Sequence, residues 1–398
     1  MAEWTKYKIS DIGTVVGGAT PSTKKSENYE NGDISWITPK DLSTFCGRYI
    51  KQGERNITET GYRSCSTQLL PRNSVLFSSR APIGYVAIAA KELCTNQGFK
   101  SVIPNENIDP LFLYYLLKYN KHNIESMGSG TTFKEVSANT MRNIIVFVPS
   151  DKRVQEKIAS ILGVLDDKIE ENERINNNLE QQLTALFIHS FADNIATTST
   201  DTCPILGDLI TVVDNRGKTP PLATETFAYP IIDVGVLKGS DRIIDFNNCT
   251  KYVEQSTYET WFRSGHPKPW DILISTVGSL AEMKIYLGSK GCIAQNVVAL
   301  RATSISPLYL YQYLRFIRAD LVAYNIGSVQ PSIKVTHIAK HPIYVPESSK
   351  LENFEEIAKT VTNQLYANYN EIESLKKLRD TLLPRLMSGE LDVSAIDI

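Results

Sequence analysis

Residues 109–150, DPLFLYYLLKYNKHNIESMGSGTTFKEVSANTMRNIIVFVPS, align without a gap with residues 306–347, SPLYLYQYLRFIRADLVAYNIGSVQPSIKVTHIAKHPIYVPE, at an offset of 197 positions. Identical residues recur along both segments, among them Pro110 and Pro307, Tyr114 and Tyr311, Gly130 and Gly327, and Pro149 and Pro346. A constant offset over a segment this long is the signature of an internal repeat, and a repeat determines the architecture because each copy forms a similar folded unit.

The repeat continues on both sides of this segment. The matched residues are Asp11 and Asp208, Thr20-Pro21 and Thr219-Pro220, Cys94 and Cys292, Gln97 and Gln295, Ile158-Ala159 and Ile357-Ala358, Leu179 and Leu378, and Leu183 and Leu382. Chance similarity between two α/β domains is the alternative, but it would not hold the offset within two or three residues from one section to the next. Because half of the 398-residue length is 199, the duplication fills the chain.

Each copy opens with short apolar runs separated by turn residues, such as ISWI at 34–37 and YVAIAA at 85–90. One helical stretch, PLFLYYLLKY, and a closing strand, IIVFVP, follow them. This order predicts an α+β fold with two tandem α/β domains and two long helices. The predicted segments are domain 1 at 1–150, helix 1 at 151–195, domain 2 at 196–347, and helix 2 with a C-terminal tail at 348–398.

Along each of the two long helices, residues that are mostly apolar recur at alternating spacings of three and four positions. Each such row of residues is called a seam. The first seam comprises Ile158, Leu162, Leu165, Ile169, Asn172, Asn176, Leu179, Leu183 and Leu186. The second comprises Ala358, Val361, Leu365, Asn368, Ile372, Leu375, Arg379, Leu382 and Leu386. Such heptad seams predict coiled-coil helices.

Asparagines lie near the middle of each seam. If the two helices pair antiparallel, Asn172 or Asn176 can hydrogen-bond to Asn368, and a buried asparagine penalises other registers at some cost in stability. A solvated polar face is the alternative interpretation of these asparagines. About 38 residues make a rod of roughly 55–60 Å. A rod of this length would hold the domains at opposite ends with pseudo-twofold symmetry, between one and two turns of DNA apart.

Charge is unevenly divided along the chain, whose net charge is −2. Residues 1–150 have 17 Lys and Arg against 13 Asp and Glu, and residues 196–347 have 14 against 13. The helical segments are acidic, with 5 against 9 at 151–195 and 6 against 9 at 348–398. Neutral to basic domains are compatible with nucleic-acid binding without demonstrating it.

Other global features favour a cytoplasmic protein. The six cysteines lack a C-x-x-C pair, which argues against a zinc site or a disulfide framework, and we expect them to be reduced and mostly buried. No stretch approaches the roughly 18 apolar residues of a membrane span, and the N-terminus lacks an apolar signal core.

At this point the motifs resemble a known family, the specificity subunits of type I restriction-modification systems, over the whole chain. The most specific segment is LRDTLLPRLMSGELDV at 378–393, which is similar to the family's C-terminal signature. Weaker matches are the G-G-x-T-P-S turn at 17–22, the I-x-W-I segment at 34–37 and the T-N-Q-G element at 95–98.

The resemblance implies that each domain reads one half of a bipartite, asymmetric site in double-stranded DNA while the helices separate the halves. It implies two modification (methyltransferase) subunits and two restriction subunits as partners. Domain 2 departs from the pattern, with NRGKTP at 215–220 and A-Q-N at 294–296, which fits a different half-site.

The sequence gives no sign of catalysis by this chain, since no catalytic motif of a methyltransferase or ATPase is found. The five histidines show no metal-ligand spacing, and His337 and His341 are placed in a loop-strand segment. We therefore expect a non-catalytic subunit with no metal or cofactor of its own. By the resemblance, S-adenosylmethionine, ATP and Mg would belong to the partner subunits.

Loop residues with suitable chemistry are the candidate DNA contacts, because Arg favours guanine, Asn and Gln favour adenine, and cations contact phosphates. In domain 1 they are Thr20, Lys24, Lys25, Arg80, Thr131, Thr132 and Lys134. In domain 2 they are Arg216, Lys218, Thr276, Ser328, Gln330 and Lys334. For any single residue, a solvated surface position is an equally good interpretation.

Two other classes of function remain open. A coiled-coil scaffold without DNA specificity would share the helices, and a fragment of a methyltransferase-nuclease would carry the catalytic motifs that are missing here. Off the seam, Ile175 and Phe187 either pack on their own domain or form a docking face for partners, and the docking interpretation is favoured.

Overall fold

The computed structural model describes residues 3–80, 82–130, 134–217, 219–224, 229–394 and Ile396. The chain forms two compact units, the first made of Met1–Glu171 with Glu371–Ile398 and the second of Asn172–Asn370. Each unit therefore contains one domain of the repeat and one end of each long helix. The mixed α+β fold with tandem domains and two long paired helices confirms the predicted fold class. Across the described ranges, every helix is too short or too polar to cross a membrane.

Unit 1 is built from short strands and helices in its domain, followed by the first long helix. The strands are β1 Trp4–Lys8, β2 Gly13–Gly17, β3 Ile34–Ile37, β4 Tyr49–Ile50, β5 Arg55–Ile57, β6 Val75–Phe77, β7 Val86–Ala89, β8 Cys94–Thr95, β9 Lys100–Pro104 and β10 Ile145–Pro149. The helices are α1 Ile9–Ile12, α2 Pro39–Ser43, α3 Glu59–Arg63, α4 Pro110–Tyr119, α5 Lys121–Ser126, α6 Ala138–Asn143 and α7 Lys152–Thr197, of which the last continues into unit 2.

The strands of domain 1 form a five-stranded sheet in the order β2-β9-β6-β7-β4, a three-stranded sheet β5-β3-β8 and the pair β1-β10. Helix α4 begins at Pro110, and Asp109 caps it by accepting a hydrogen bond from the Phe112 N–H at 2.7 Å. Its Phe112 and Leu113 are fully buried and pack into the main core with Val75 and Ile88 of the large sheet. The loops between these strands are thereby held on a packed framework.

Unit 2 repeats this arrangement with fewer paired strands. Its strands are β11 Ile210–Val213, β12 Tyr229–Ile232, β13 Tyr252–Val253, β14 Ile272–Ser275, β15 Met283–Ile285, β16 Cys292–Ile293 and β17 Val297–Ala302. Its helices are α8 Leu206–Leu209, α9 Val234–Leu237, α10 Gln255–Trp261, α11 Pro307–Phe316, α12 Arg318–Ala323, α13 Val335–Ala339 and α14 Ser348–Met387, of which the last continues into unit 1.

Matching strands of the two domains make matching pairs. The sheets of domain 2 are β11-β17-β14-β15 and β13-β12-β16, equivalent to β2-β9-β6-β7 and β5-β3-β8. An isolated parallel bridge between Ile243 and Ile285 replaces the parallel β4-β7 pair, in which Tyr49 faces Ile88. The internal repeat predicted from the sequence is thus a repeat of topology.

In unit 1, helices α7 and α14 pair antiparallel. Arg379 donates a hydrogen bond to Asp166 Oδ1 at 2.7 Å, and Lys168 lies 3.7 Å from Glu371 earlier along α14. Asp166 also accepts a hydrogen bond from the hydroxyl of Tyr115 at 2.7 Å. The charged residue predicted within the second seam, Arg379, is therefore neutralised by a buried carboxylate.

In unit 2, the seam contains the predicted asparagine contact. Asn368 Nδ2 donates to Asn176 Oδ1 at 2.8 Å, and Gln364 Nε2 donates to Asn368 Oδ1 at 2.7 Å. Asn172, the other candidate, is also buried. All predicted seam positions in α7 and α14 are buried or half-buried. The role of the asparagines in fixing the register stays a prediction.

We expect Asn368→Leu to lower the free energy of unfolding by about 1–3 kcal/mol, because Asn176 keeps a polar group on the seam without its partner. The double variant Asn176→Leu/Asn368→Leu should recover most of this loss, since two leucines pack on a heptad seam. Urea denaturation of the full-length variants measures both effects. A double variant as unstable as the sum of the two single variants would show that the asparagines do not act as a pair.

One prediction about the helices is wrong. Phe187 is buried and packs against Tyr309 of α11 and Phe354 of α14, with ring centroids 5.5 and 5.8 Å away. It therefore packs on its own unit and is not part of an exposed docking face. Ile175 is half-buried, and its role is not decided. The heptad spacing identified the seam of α7. It did not identify a second face of the same helix, which carries Phe187 and is covered by the domain.

Candidate nucleic-acid interface

Four loops of domain 1 are joined by hydrogen bonds into one surface. The Ser79 N–H, after β6, donates to Gly98 O at 2.7 Å, and the Val136 N–H, before α6, donates to Ser79 O at 2.9 Å. The Thr20 hydroxyl, after β2, donates to the side-chain oxygen of Gln97. The G-G-x-T-P-S turn, the T-N-Q-G element and the loop that carries Lys134 therefore meet around Ser79. We call this hydrogen-bonded set of loops the loop frame.

The loop after β2 requires a glycine at position 18. A Cβ atom at this position would lie 2.2 Å from the carbonyl oxygens of Thr95 and Asn96. The neighbouring Ala19 N–H donates to Thr95 O at 3.1 Å, so the loop lies directly against β8. Only a residue without a side chain permits this close approach.

Domain 2 has the same frame made from different side chains. The Thr276 N–H donates to Asn296 O at 2.9 Å, and the Ile333 N–H donates to Thr276 O at 2.8 Å. Gln295 Nε2 donates to Thr219 Oγ1 at 3.1 Å. The two backbone bonds repeat the Ser79 and Val136 contacts of domain 1, and the threonine–glutamine contact recurs with donor and acceptor exchanged, so both copies present the same set of loops.

The structure places the candidate contacts of domain 1 on these loops with different exposure. Lys134 is exposed, Arg80 has a side chain that is 36% exposed, and Thr20 is half-buried. Lys24 and Lys25 are exposed further along the first loop, where Lys25 lies 3.7 Å from Glu27. Thr20, Arg80 and Lys134 are brought together by the loop frame. The remaining two candidates, Thr131 and Thr132, lie outside the described residues.

In domain 2, Ser328, Gln330 and Lys334 are exposed on and beside the loop before α13. Arg216 is also exposed, but its Nε and Nη2 atoms donate to the Asp214 carboxylate at 2.5–2.9 Å, which occupies much of its donor capacity. Lys218 lies outside the described residues.

The prediction for Thr276 as a surface contact is wrong. Its side chain is fully buried, and its hydroxyl donates to Asn296 O at 3.4 Å. Thr276 follows directly after β14, whose four residues are all buried. It fixes the loop frame and does not face solvent.

Sequence reasoning missed a pair of buried arginines that fasten each domain to the long helices. The Arg48 backbone N–H and Nε both donate to Glu170 Oε1, at 3.1 and 2.9 Å, and its Nη2 contacts Asp167 of the same helix. Burial opposes the charge of Arg48, but the hydrogen bonds to these two carboxylates outweigh it and raise the pKa.

Arg242 occupies the matching position in unit 2. Its backbone N–H and Nε both donate to Glu180 Oε1, at 3.1 and 2.7 Å, and Nη2 donates to Glu180 Oε2 at 2.7 Å. A fourth hydrogen bond runs from Arg242 Nη1 to Thr362 Oγ1 of α14 at 3.0 Å. The only sequence signal was the short similarity of G-R-Y-I at 47–50 to D-R-I-I at 241–244.

The described side chains provide no evident chemistry for catalysis. Burial raises the pKa of Cys94 to about 11 and of Cys249 and Cys292 to about 12, so these thiols are protonated at neutral pH. All six cysteines are free, and among the described residues no cluster of His, Cys, Asp and Glu could hold a metal ion. His337 lies in helix α13 rather than in a loop-strand segment, and His341 Nδ1 is hydrogen-bonded to the Tyr324 hydroxyl at 2.9 Å.

Comparison with known proteins agrees with this arrangement. The family described as "Type I restriction modification DNA specificity domain" matches residues 1–181. The type I restriction enzyme MjaIX specificity subunit of Methanocaldococcus jannaschii is 32% identical over 99% of this chain and 95% of its own length. The EcoR124I/EcoR124II specificity subunit of Escherichia coli is 33% identical over 41% of both chains.

A solved structure has the same fold. The crystal structure of the type I restriction-modification S subunit from M. genitalium superimposes with a TM-score of 0.58 at 18% identity, covering 97% of this chain and 96% of that one. The two tandem α+β domains and the paired long helices are thus a fold that this S subunit shares. The chain belongs to the family of type I restriction-modification specificity subunits, which recognise DNA within a larger complex and are not themselves catalytic.

Proposed function

We propose that this chain recognises a bipartite, asymmetric DNA sequence, with each domain reading one half through its loop frame. The observation that supports this most directly is the repeated frame around Ser79 and Thr276. It has the same two backbone hydrogen bonds in both domains but carries different exposed side chains. Identical frames suit two equivalent dockings on DNA, whereas different side chains suit two different base sequences.

The chain has the features of the assembly component of a type I complex in the cytoplasm. We expect it to bind two modification subunits, which methylate adenine, and two restriction subunits in the full complex. S-adenosylmethionine, ATP and Mg belong to those partners in this proposal. The long helices α7 and α14 serve as the spacer between the two recognition domains.

Lys134→Ala should weaken DNA binding of the complex with its modification subunits. The side chain is exposed at the loop frame, and each phosphate contact releases counterions, so the slope of log K against log salt should fall in magnitude by about 0.9. Fluorescence anisotropy with labelled duplex over a salt series measures the slope. Lys359→Ala is the matched control, because Lys359 is exposed on the long helix α14 and not on a recognition loop.

The salt dependence of Lys134→Ala and the sequence selectivity of the wild-type complex answer two different questions. An unchanged slope for Lys134→Ala would remove this residue from the interface. A wild-type complex that binds all duplexes with equal affinity would favour the alternative, a coiled-coil scaffold without DNA specificity of its own.

A further inference from the structure

The two loop frames differ at one structurally equivalent pair of residues. In domain 1, an antiparallel bridge joins Arg80 to Glu135, and in domain 2 the corresponding bridge joins Val277 to Ser332. Each bridge lies one residue beyond the frame contact of Ser79 or Thr276. Arg80 and Val277 therefore occupy the same place in the two copies, although one is cationic and the other is aliphatic.

The guanidinium of Arg80 lies beside one carboxylate, which a second cation also contacts. Arg80 Nη1 lies 3.7 Å from Glu135 Oε2, and Lys100 Nζ lies 3.3 Å from Glu135 Oε1. Lys100 also donates to Ser79 Oγ at 3.3 Å, and its side chain is only 12% exposed. The largely buried side chain of Lys100 thus offsets the Glu135 charge, and the guanidinium of Arg80, whose side chain is 36% exposed, leaves a net positive charge at the surface.

The planar fork of arginine suits a base edge that offers two acceptors. Guanine offers two acceptors, O6 and N7, at the spacing of this fork, whereas a flexible lysine such as Lys134 contacts a phosphate as a point charge. Val277 has only methyl groups to offer and cannot make these two hydrogen bonds.

We propose that Arg80 is a specificity-determining residue that reads a guanine in the half-site bound by domain 1. Domain 2 reads no guanine at the equivalent position, because Val277 stands there. This inference rests on the proposed function, since it requires that domain 1 contacts base edges. It assigns the chemical difference between the two half-sites to one pair of equivalent residues.

The test is selection from a random duplex library by the full-length chain in complex with its modification subunits. In Arg80→Val, which copies the residue of domain 2, the preference for guanine at one position of one half-site should fall about ten- to a hundredfold. The other half-site should be unchanged. Arg80→Lys should weaken this preference less than Arg80→Val and keep the salt dependence of binding, because it keeps the charge but not the planar fork.

Each outcome bears on a different claim. If Arg80→Val selects the wild-type sequence at every position, Arg80 contacts phosphate or nothing, and this inference is overturned while the proposed function stands. If the wild-type complex enriches no bipartite sequence, the proposed function fails and the inference fails with it. Thermal denaturation of each variant verifies that the domain remains folded.

Discussion

Replacing Arg242 with alanine is expected to lower the free energy of unfolding of unit 2 by about 3–5 kcal/mol. Arg242 is 0% exposed, and Glu180 on α7 accepts three hydrogen bonds from it. Removing the guanidinium would leave the Glu180 carboxylate, which is 11% exposed, without its main partner. Arg48→Ala should cost less, because its partners Glu170 and Asp167 are 33% and 69% exposed and regain hydration.

Hydrogen exchange localises this effect, since the variant should lose protection in peptides of unit 2. Lys40→Ala is the control, because its partner Glu54 and Lys40 itself are 62% and 77% exposed, and such pairs contribute less than about 1 kcal/mol. Arg242→Met combined with Glu180→Gln should recover part of the stability, because no buried charge remains unpaired. An Arg242→Ala protein as stable as the Lys40→Ala control would contradict the assigned role.

Phe187→Ala should destabilise unit 2 by a similar amount, about 3–5 kcal/mol. The Phe187 ring is 2% exposed and lies in an aromatic cluster with Phe191, Tyr309 and Phe354 at centroid distances of 5.3–5.8 Å. Its removal leaves a cavity where α7, α11 and α14 meet. Urea denaturation of the isolated full-length chain measures the loss.

The neighbouring residue provides a matched control. Ile188 is 46% exposed, so Ile188→Ala should change the free energy of unfolding by less than about 0.5 kcal/mol. If Phe187→Ala instead leaves stability unchanged and weakens binding to the modification subunit, the docking interpretation would be restored.

Much of the architecture follows from patterns that are local in sequence. The helix seam could be predicted because heptad spacing places residues such as Leu162 and Leu365 on one helix face whatever they contact. A hydrogen bond from Asn368 to either Asn172 or Asn176 followed from their central positions in the two seams, and the structure shows Asn176 as the partner. The repeat could be predicted because the segment around Pro110 and Pro307 has no insertion in either copy.

The features that were missed depend on contacts between distant residues. Arg48 and Glu170 are 122 positions apart in the sequence. The segments around Arg48 and Arg242 are similar over a short stretch only, and their offset differs from that of the rest of the repeat, so their equivalence could not be identified from the sequence. Thr276 follows a strand, and sequence alone did not distinguish an exposed loop from a buried strand end. Phe187 lies next to the exposed Ile188, so polarity patterns did not show which one the domain covers.

The central claim is that the two domains read two different half-sites at a fixed separation. Mapping of methylated adenines in the genome of cells that carry this chain and its modification partner tests it most directly. The account predicts one two-part motif with unlike halves and a constant gap, which disappears when this chain is deleted. A continuous motif, a palindrome with identical halves, or methylation that persists without the chain would contradict it.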